Sequence, residues 1–365
     1  MIQKQQLVAS VLIAGGIVIG LSELSLGEST GVNILIVNKG EVKIKKENWK
    51  AFQKASTGSL LRPNDYLQMG SNASAFLLCS NTERWQPTAG KQFRVSEGCP
   101  RGTASRPRNV ARSQTRNENK LIPYIISPRN TELLSDRPLL KWNPVTGATR
   151  YQVKLQGGGL DWQTETNETQ VLYGGQEPLK LGVKYLLIVT TTTDKEASSK
   201  KEVGADLMFG LMTTEKAKVV KEEATNLKKQ GLSPEAETLA LAYLYEGNNL
   251  KAEAIALLQP LSQQKSQNRV VYSLLGDLLL QTGLNQQAQQ AYQQALALAQ
   301  KLGDQEGEAE AQSGLGEASF GLGKKEEALS WLKKAQASYA VLGDESQTQV
   351  LTQRIEEIQK RLKNS

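Results

Sequence analysis

The spacing of hydrophobic and polar positions changes several times along the chain, and each change predicts a different kind of element. Leu7 to Leu21 is a 15-residue run without charge, preceded by Lys4. Between Gly31 and Pro100 the spacing shortens. Asn33-Ile-Leu-Ile-Val37 and Glu41-Val-Lys-Ile-Lys45 flank Asn38-Lys39-Gly40, a pattern that predicts strand, turn and strand. Gly58, Asn64-Asp65 and Gly70-Ser71-Asn72 punctuate further short strands, including Ala73–Cys79. Residues 101–122 have no period. Alternation returns from Ile125 to about Thr213, most cleanly in Tyr151-Gln-Val-Lys-Leu155. From Glu215 the period becomes helical, with Ala217, Val220, Ala224 and Leu227 on one face and Gly231 after a basic last turn. Pro234 opens the next helix, and Gln347–Leu362 predicts a last one with Val350, Leu351, Ile355, Ile358 and Leu362 inside.

Within the helical third, Ser233 to Lys363, one pattern returns three times. Gly247, Gly283 and Gly323 each stand five residues before an alanine: Ala252, Ala288 and Ala328. Tyr272, Leu275, Gly276 and Leu279 surround the second glycine, and Leu315 and Gly316 the third, with Ala240 in the corresponding place of the first. Small residues recur where two helices cross closely, with large apolar ones a turn away. The pattern resembles the tetratricopeptide repeat, which implies stacked antiparallel helix pairs around a concave groove that holds protein partners. The spacings of 36 and 40 residues exceed 34, which assigns the extra residues to inter-repeat turns such as Leu302-Gly303-Asp304.

The β segments carry resemblances of their own. Gly40-Glu-Val42, Trp49, Gly58-x-x-Leu61, Asn64-Asp65-x-Leu67 and the apolar strand after Ser74 are similar to the FecR-type domain, a small β-sandwich or roll of envelope proteins. Trp142 before a turn, and Tyr185 four residues after Leu181, resemble the fibronectin type III sandwich, an immunoglobulin-like fold. That resemblance implies a tryptophan filling the core and a tyrosine corner. Trp162 stands in the loop-like stretch Gly157–Asn167, where a carbohydrate-stacking role is the alternative. The expected fold is therefore multidomain. Residues 1–27 form a signal peptide or anchor, and 31–100 a FecR-like β domain. A basic linker follows at 101–122, then a fibronectin-III-like sandwich at 125–213 and an all-α repeat solenoid with capping helices at 215–365.

Composition narrows the function. Ser25-Leu26-Gly27 after the apolar run offers a small-x-small cleavage site, so the chain is expected to be exported to the periplasm or cell envelope, either cleaved or held by an uncleaved N-terminal anchor. Two cysteines, Cys79 and Cys99, suit one disulfide in an oxidising compartment. They leave nothing to complete a metal site. Histidine is absent, which removes every histidine-containing triad. The net charge of +7 is uneven, +9 before Thr213 and −2 from there on, and the run Arg101, Arg106, Arg108, Arg112, Arg116, Lys120 has no aromatic residue to stack on bases, so no nucleic-acid partner is expected. Ser-x-x-Lys occurs at Ser198–Lys201, Ser262–Lys265 and Ser330–Lys333 without its partner motifs, and no P-loop, G-x-S-x-G or dinucleotide fingerprint is present.

No enzyme and no cofactor are expected. What remains is the groove. Aligning on Ala240, Gly276 and Gly316 places Glu237, Thr238, Leu241 and Tyr245 there from the first repeat, Ser273, Asp277 and Gln281 from the second, and Glu310, Ser313, Glu317 and Phe320 from the third. The basic clamp by which some members of the family grip a terminal carboxylate is missing: Glu237, Leu241, Leu274, Glu310 and Gly314 stand at its positions. Such an acidic surface with apolar spots predicts a protein or peptide partner carrying a basic segment. Binding of a cell-wall polymer or polysaccharide through the β domains is the alternative.

Overall fold

The computed structural model describes residues 33–80, 83–99, 121–192, 197–202 and 207–363, an amino-terminal β-rich region followed by a helical repeat region. The segment 1–27, expected to be a signal peptide or anchor, and the basic stretch 101–120 lie outside the described residues. No helix among the described residues is long and apolar enough to cross a membrane.

The first β unit comprises β1 (Asn33–Lys39), β2 (Val42–Lys45), β3 (Gln53–Lys54), β4 (Leu60–Leu61), β5 (Tyr66–Met69), β6 (Ser74–Leu78), β7 (Arg84–Trp85) and β8 (Gln92–Arg94). They make two antiparallel four-stranded sheets, β4-β1-β6-β7 and β3-β2-β5-β8. In β2 the alternation is that of a sheet with one covered face: Val42 and Ile44 are buried, Lys43 and Lys45 half-buried. β1 and β6 differ. Asn33 to Ile36 and Ala75 to Leu78 are buried without interruption, as expected of strands covered on both faces. Leu35 and Leu77 join Ile44 and Leu67 in a core that continues into carboxy-terminal helical residues such as Leu332, Leu342 and Ile358. Their neighbours Ile34, Ile36, Phe76 and Leu78 belong instead to the core built by the helices.

Cys79, at the end of β6, is bonded to Cys99, 20 residues on. Closing a loop of that length removes unfolded-chain entropy equivalent to about 3 kcal/mol. The Cys79→Ala/Cys99→Ala variant should lose stability by that amount in urea titration, and a loss under about 1 kcal/mol would assign the bridge no stabilising role.

The second β unit contains β9 (Ile125–Ser127), β10 (Thr131–Leu133), β11 (Leu139–Trp142), β12 (Tyr151–Gly157), β13 (Leu160–Thr166), β14 (Gln170–Leu172), β15 (Lys184–Thr191) and β16 (Phe209–Leu211). Sheet β14-β11-β9 packs on sheet β10-β16-β15-β12-β13. Trp142, Tyr151, Tyr185 and Phe209 fill the space between them, with Trp142 edge-on to Tyr151 at 5.5 Å. The Tyr185 hydroxyl accepts a hydrogen bond from the Lys180 amide at 2.8 Å and ties β15 to the turn before it. Trp162 is not in a loop. It sits in β13, half-buried and edge-on to Tyr173 at 5.1 Å, so its ring is a packing element of the sandwich.

The helices are α1 (Thr214–Lys228), α2 (Pro234–Gly247), α3 (Lys251–Gln263), α4 (Arg269–Gln281), α5 (Asn285–Leu302), α6 (Gln305–Gly321), α7 (Lys325–Leu342) and α8 (Glu345–Lys363). Helices α2 to α7 form three antiparallel pairs. Close crossings explain the small residues. A Cβ on Gly276 would lie 2.8 Å from the Tyr292 ring, one on Gly314 2.3 Å from it, and one on Gly316 2.6 Å from Leu332.

Backbone conformation corrects the register of the first repeat. Gly283 and Gly323 take φ of 78° between the helices of their pairs, and Asn249, with φ 61°, takes the same place in the first. The matching hydrogen bonds agree: Leu250 N to Tyr245 O, Leu284 N to Leu279 O, and Lys324 N to Ser319 O. The first repeat thus aligns on Asn249 and Ala254, two residues beyond Gly247 and Ala252. Gly247 is a helical residue. Asparagine tolerates the left-handed region through local hydrogen bonding, which is why the glycine signal fails there. The 40-residue spacing also has a different origin from longer turns: α5 has 18 residues where α3 has 13.

Candidate functional site

An inner helix of an open repeat stack leaves one face bare toward the groove. Here it is covered. Every residue of α4 except Asp277 and Gln281 is buried, and in α6 only Gln305, Glu308 and Glu310 are not. The cover is the first β unit, whose turns reach the helices. The Tyr243 hydroxyl donates to the Gly58 carbonyl at 3.1 Å, and Asn268 Nδ2 to the Thr57 carbonyl at 3.0 Å. Gly58 is pressed so closely that a Cβ would lie 2.8 Å from Val270. The Lys50 amide donates to the Leu342 carbonyl at 3.0 Å, and Trp49 Nε1 reaches Asp344 at 3.4 Å. On another side the second β unit is tied to the repeats. Asn130 Nδ2 donates to the Gln281 carbonyl, Lys251 Nζ to the Asn130 carbonyl, and Glu253 accepts from the Leu134 amide.

The corrected register changes the first repeat's share of the inner face. Leu239 and Tyr243, both beside Gly58, stand where Ser273 and Asp277 stand in the second repeat. Glu237, Leu241 and Tyr245 do not. Leu241 is buried in the helical core, and Tyr245 lies half-buried beside Leu250 and Met212, where burial and then Glu253 raise its hydroxyl above the ordinary range. Gln281 is held by Glu246, which accepts from its Nε2 at 3.0 Å.

The acids of the third repeat are already paired. Arg354 of α8 grips Glu317 with Nε and Nη2 at 2.7 and 2.8 Å, both side chains nearly inaccessible, and lies 4.6 Å from the centre of the Phe320 ring. Arg269 donates to Asp304 and, at 2.8 Å, to Glu310. Asp304 also caps α6 by accepting from the Gly307 amide at 2.8 Å. Gly307 must be small, since a Cβ there would meet the Arg269 side chain at 2.2 Å. The last member comes from the β unit: Lys46 Nζ donates to Glu306 in the first turn of α6. Burial lowers the affinity of Lys46 for its proton, but Glu306, Glu310 and Asp65 outweigh burial and raise it, so the ammonium stays charged. Burial, reinforced by Glu310, holds the Glu306 carboxyl above its ordinary value against the pull of Lys46 and Arg269. Burial likewise raises Asp65.

Lys46 and these helices enclose a polar cavity of about 450 Å³. Its mouth carries the exposed Glu47, Asn48, Arg62 and Asn64, and its floor Ser273, Tyr292, Glu306 and Glu310. The Tyr292 hydroxyl donates to Asp277 at 2.7 Å on one wall. Of the residues expected in the groove, Asp277 and Glu310 meet here, together with Ser273. Glu317 and Phe320 lie apart under α8. Lys46, Trp49, Arg62 and Asp65 were not found by the repeat alignment. Their signal, if any, is that Lys46 and Trp49 fall in the longest break between the strands of the first unit.

Helix pairing, the matched turns and the small-residue crossings define a tetratricopeptide repeat region. The tetratricopeptide repeat family model matches residues 268–340. Among solved structures, the chain is similar to a crystal structure of a Podosopora anserina putative kinesin light chain with nearly identical TPR-like repeats. Identity is 19%, over 41% of this chain and 89% of that chain, with a TM-score of 0.30. A second crystal structure of that protein matches at 18% identity over the same shares, with a TM-score of 0.29. BtubC (BKLC) from P. vanneervenii matches at 16%, over 41% of this chain and 74% of that chain, with a TM-score of 0.26. No curated protein matches the chain.

Proposed function

We propose that this protein is a non-enzymatic, exported interaction scaffold of the cell envelope whose repeat face is held closed by its own first β unit. A protein partner with a basic residue beside an aromatic one engages the repeats by taking the place of the Lys46–Lys50 loop. The observation that carries this reading is the seating of Lys46 on Glu306 with Trp49 alongside Asp344, a basic-aromatic segment occupying an acidic inner face in cis. Export is supported by the leader-like sequence and by the Cys79–Cys99 bridge, since such bridges persist in oxidising compartments. A FecR-type identity for the first unit rests on its motifs and paired sheets. A fibronectin-III-like identity for the second rests on buried Trp142 and the Tyr185 tie.

The test uses the full chain and a labelled peptide of residues 43–54. The Lys46→Ser variant, with a loosened loop, should bind that peptide at least tenfold more tightly than the unaltered protein. A peptide carrying Lys46→Glu should not bind. Equal binding by protein and variant, or none by either, would refute displacement at this face.

A further inference from the structure

We propose that strand β13 of the second β unit is a docking edge for an extended segment of another protein, one with basic residues at positions i and i+4 and apolar residues between them. This goes beyond the scaffold reading. The sheet meets the repeats through β10, at its other edge, where the Glu132 amide donates to the Asn249 carbonyl. Length singles β13 out. The four sheets end in eight edge strands, and seven of these have two or three residues, whereas β13 has seven. Short edges are one means by which folded proteins avoid strand addition, and lysine, proline and bulges are others. β13 uses none of them: it reads Leu160-Asp-Trp-Gln-Thr-Glu-Thr166, and its register with β12 is unbroken throughout.

Hydrogen-bond alternation shows what this edge offers. Gly158 and Gly159 close a two-residue turn, so Gly157 bonds to Leu160 and the bonded positions of β13 continue at Trp162, Thr164 and Thr166. The far side of β12 agrees, since the Thr192 amide donates to the Arg150 carbonyl. Asp161, Gln163 and Glu165 therefore turn their N–H and C=O groups outward, and among the described residues no main-chain bond reaches them. Side chains select the occupant. From Leu160 to Gln170 the edge carries three carboxylates and no cation. Asp161 and Glu165 are exposed, and Lys154 and Arg150 on the β12 side each hold one carboxylate oxygen, leaving the other oxygen open. A second copy of this chain is a poor fit. Antiparallel pairing of two β13 strands about Gln163 sets Asp161 opposite Glu165 twice, and like charges opposite one another destabilise a ladder. Lysine or arginine at those places turns repulsion into attraction. On the inner face Leu160 and the Trp162 ring are half-buried at the end of the sheet, where apolar residues of an added strand extend their packing.

The probes are two fluorescein-labelled peptides, Ser-Lys-Val-Thr-Val-Lys-Ser and Ser-Glu-Val-Thr-Val-Glu-Ser, titrated into the full chain by fluorescence polarisation. The first should bind saturably and about tenfold more tightly than the second. Joint Asp161→Lys and Glu165→Lys should invert that preference. Gln163→Pro removes an outward N–H without costing a bond to β12, so it should abolish binding. Near-UV circular dichroism reports whether each variant is folded, and the charge-inverted variant decides the matter if Gln163→Pro is not. Lys46→Ser should leave the affinity unchanged, which separates this edge from the repeat face. The proposal is overturned by no saturable binding, by equal affinity for the two peptides, by full affinity in folded Gln163→Pro, or by tighter binding to Lys46→Ser. Dimerisation of the unaltered chain that Gln163→Pro removes would also overturn it, by giving the edge to a second copy. The scaffold reading is tested by the loop peptide, so either proposal can fail alone.

Discussion

Replacing Arg269 by alanine should destabilise the protein by about 3–5 kcal/mol, the usual cost of removing one partner from a buried charge cluster. The guanidinium is almost wholly buried and holds Asp304 and Glu310, with Glu306 close enough to add to its attraction for the proton. Without it, three carboxylates at the start of α6 remain in a poorly hydrated site, and the helix loses the group that orients its capping aspartate. Arg269→Lys keeps the charge but not the planar fork that serves two acids at once, so it should recover only part of the loss. Equilibrium urea unfolding of both variants measures this. A cost under about 1 kcal/mol for Arg269→Ala would mean that the acids are neutralised or hydrated by other means.

Much of this architecture is legible in the sequence where one element meets its immediate neighbour. Gly276 and Gly316 announce helix crossings because nothing larger fits against Tyr292 and Leu332. Val42 and Ile44 announce a sheet because their alternation matches its pleat. Contacts between distant segments leave weaker marks. Ile34-Leu35-Ile36 and Ala75-Phe-Leu-Leu78 are continuous where β2 alternates, a sign that a second face is covered, but no run of residues says by what. The acids of the groove were misleading for the same reason. Glu310 and Glu317 stand on the inner helices as the pattern suggests, yet their cations, Arg269 and Arg354, lie 41 and 37 residues away in other helices. The two-residue slip in the first repeat followed from trusting glycine at a turn that Asn249 makes.

The Lys46→Glu variant should show how firmly the first β unit is held. Reversing this charge removes the partner of Glu306 and sets another carboxylate beside Glu306, Glu310 and Asp65, a loss of about 3–5 kcal/mol near neutral pH by the cost of breaking a buried pair. The β unit should then melt separately from the helices, giving two calorimetric transitions where the unaltered chain gives one. Acid should reverse the effect. Glu306 already binds its proton more tightly than an ordinary carboxyl because of burial, and both losing Lys46 and gaining a like charge strengthen that binding. A carboxyl raised in the folded state favours folding below its unfolded pKa of about 4.3 and loses that contribution as pH climbs through the folded value. The variant's deficit should therefore be greatest near neutrality and shrink as pH falls toward the ordinary carboxylate range. In the unaltered protein the contribution of Lys46, raised from 10.5, is present below that value and disappears only in stronger alkali. Melting temperatures of both proteins between pH 4.5 and 8 would show the two curves converging on the acid side. A constant gap across that range, or a single unshifted transition in the variant, would mean that Lys46 does not hold the β unit on the repeats.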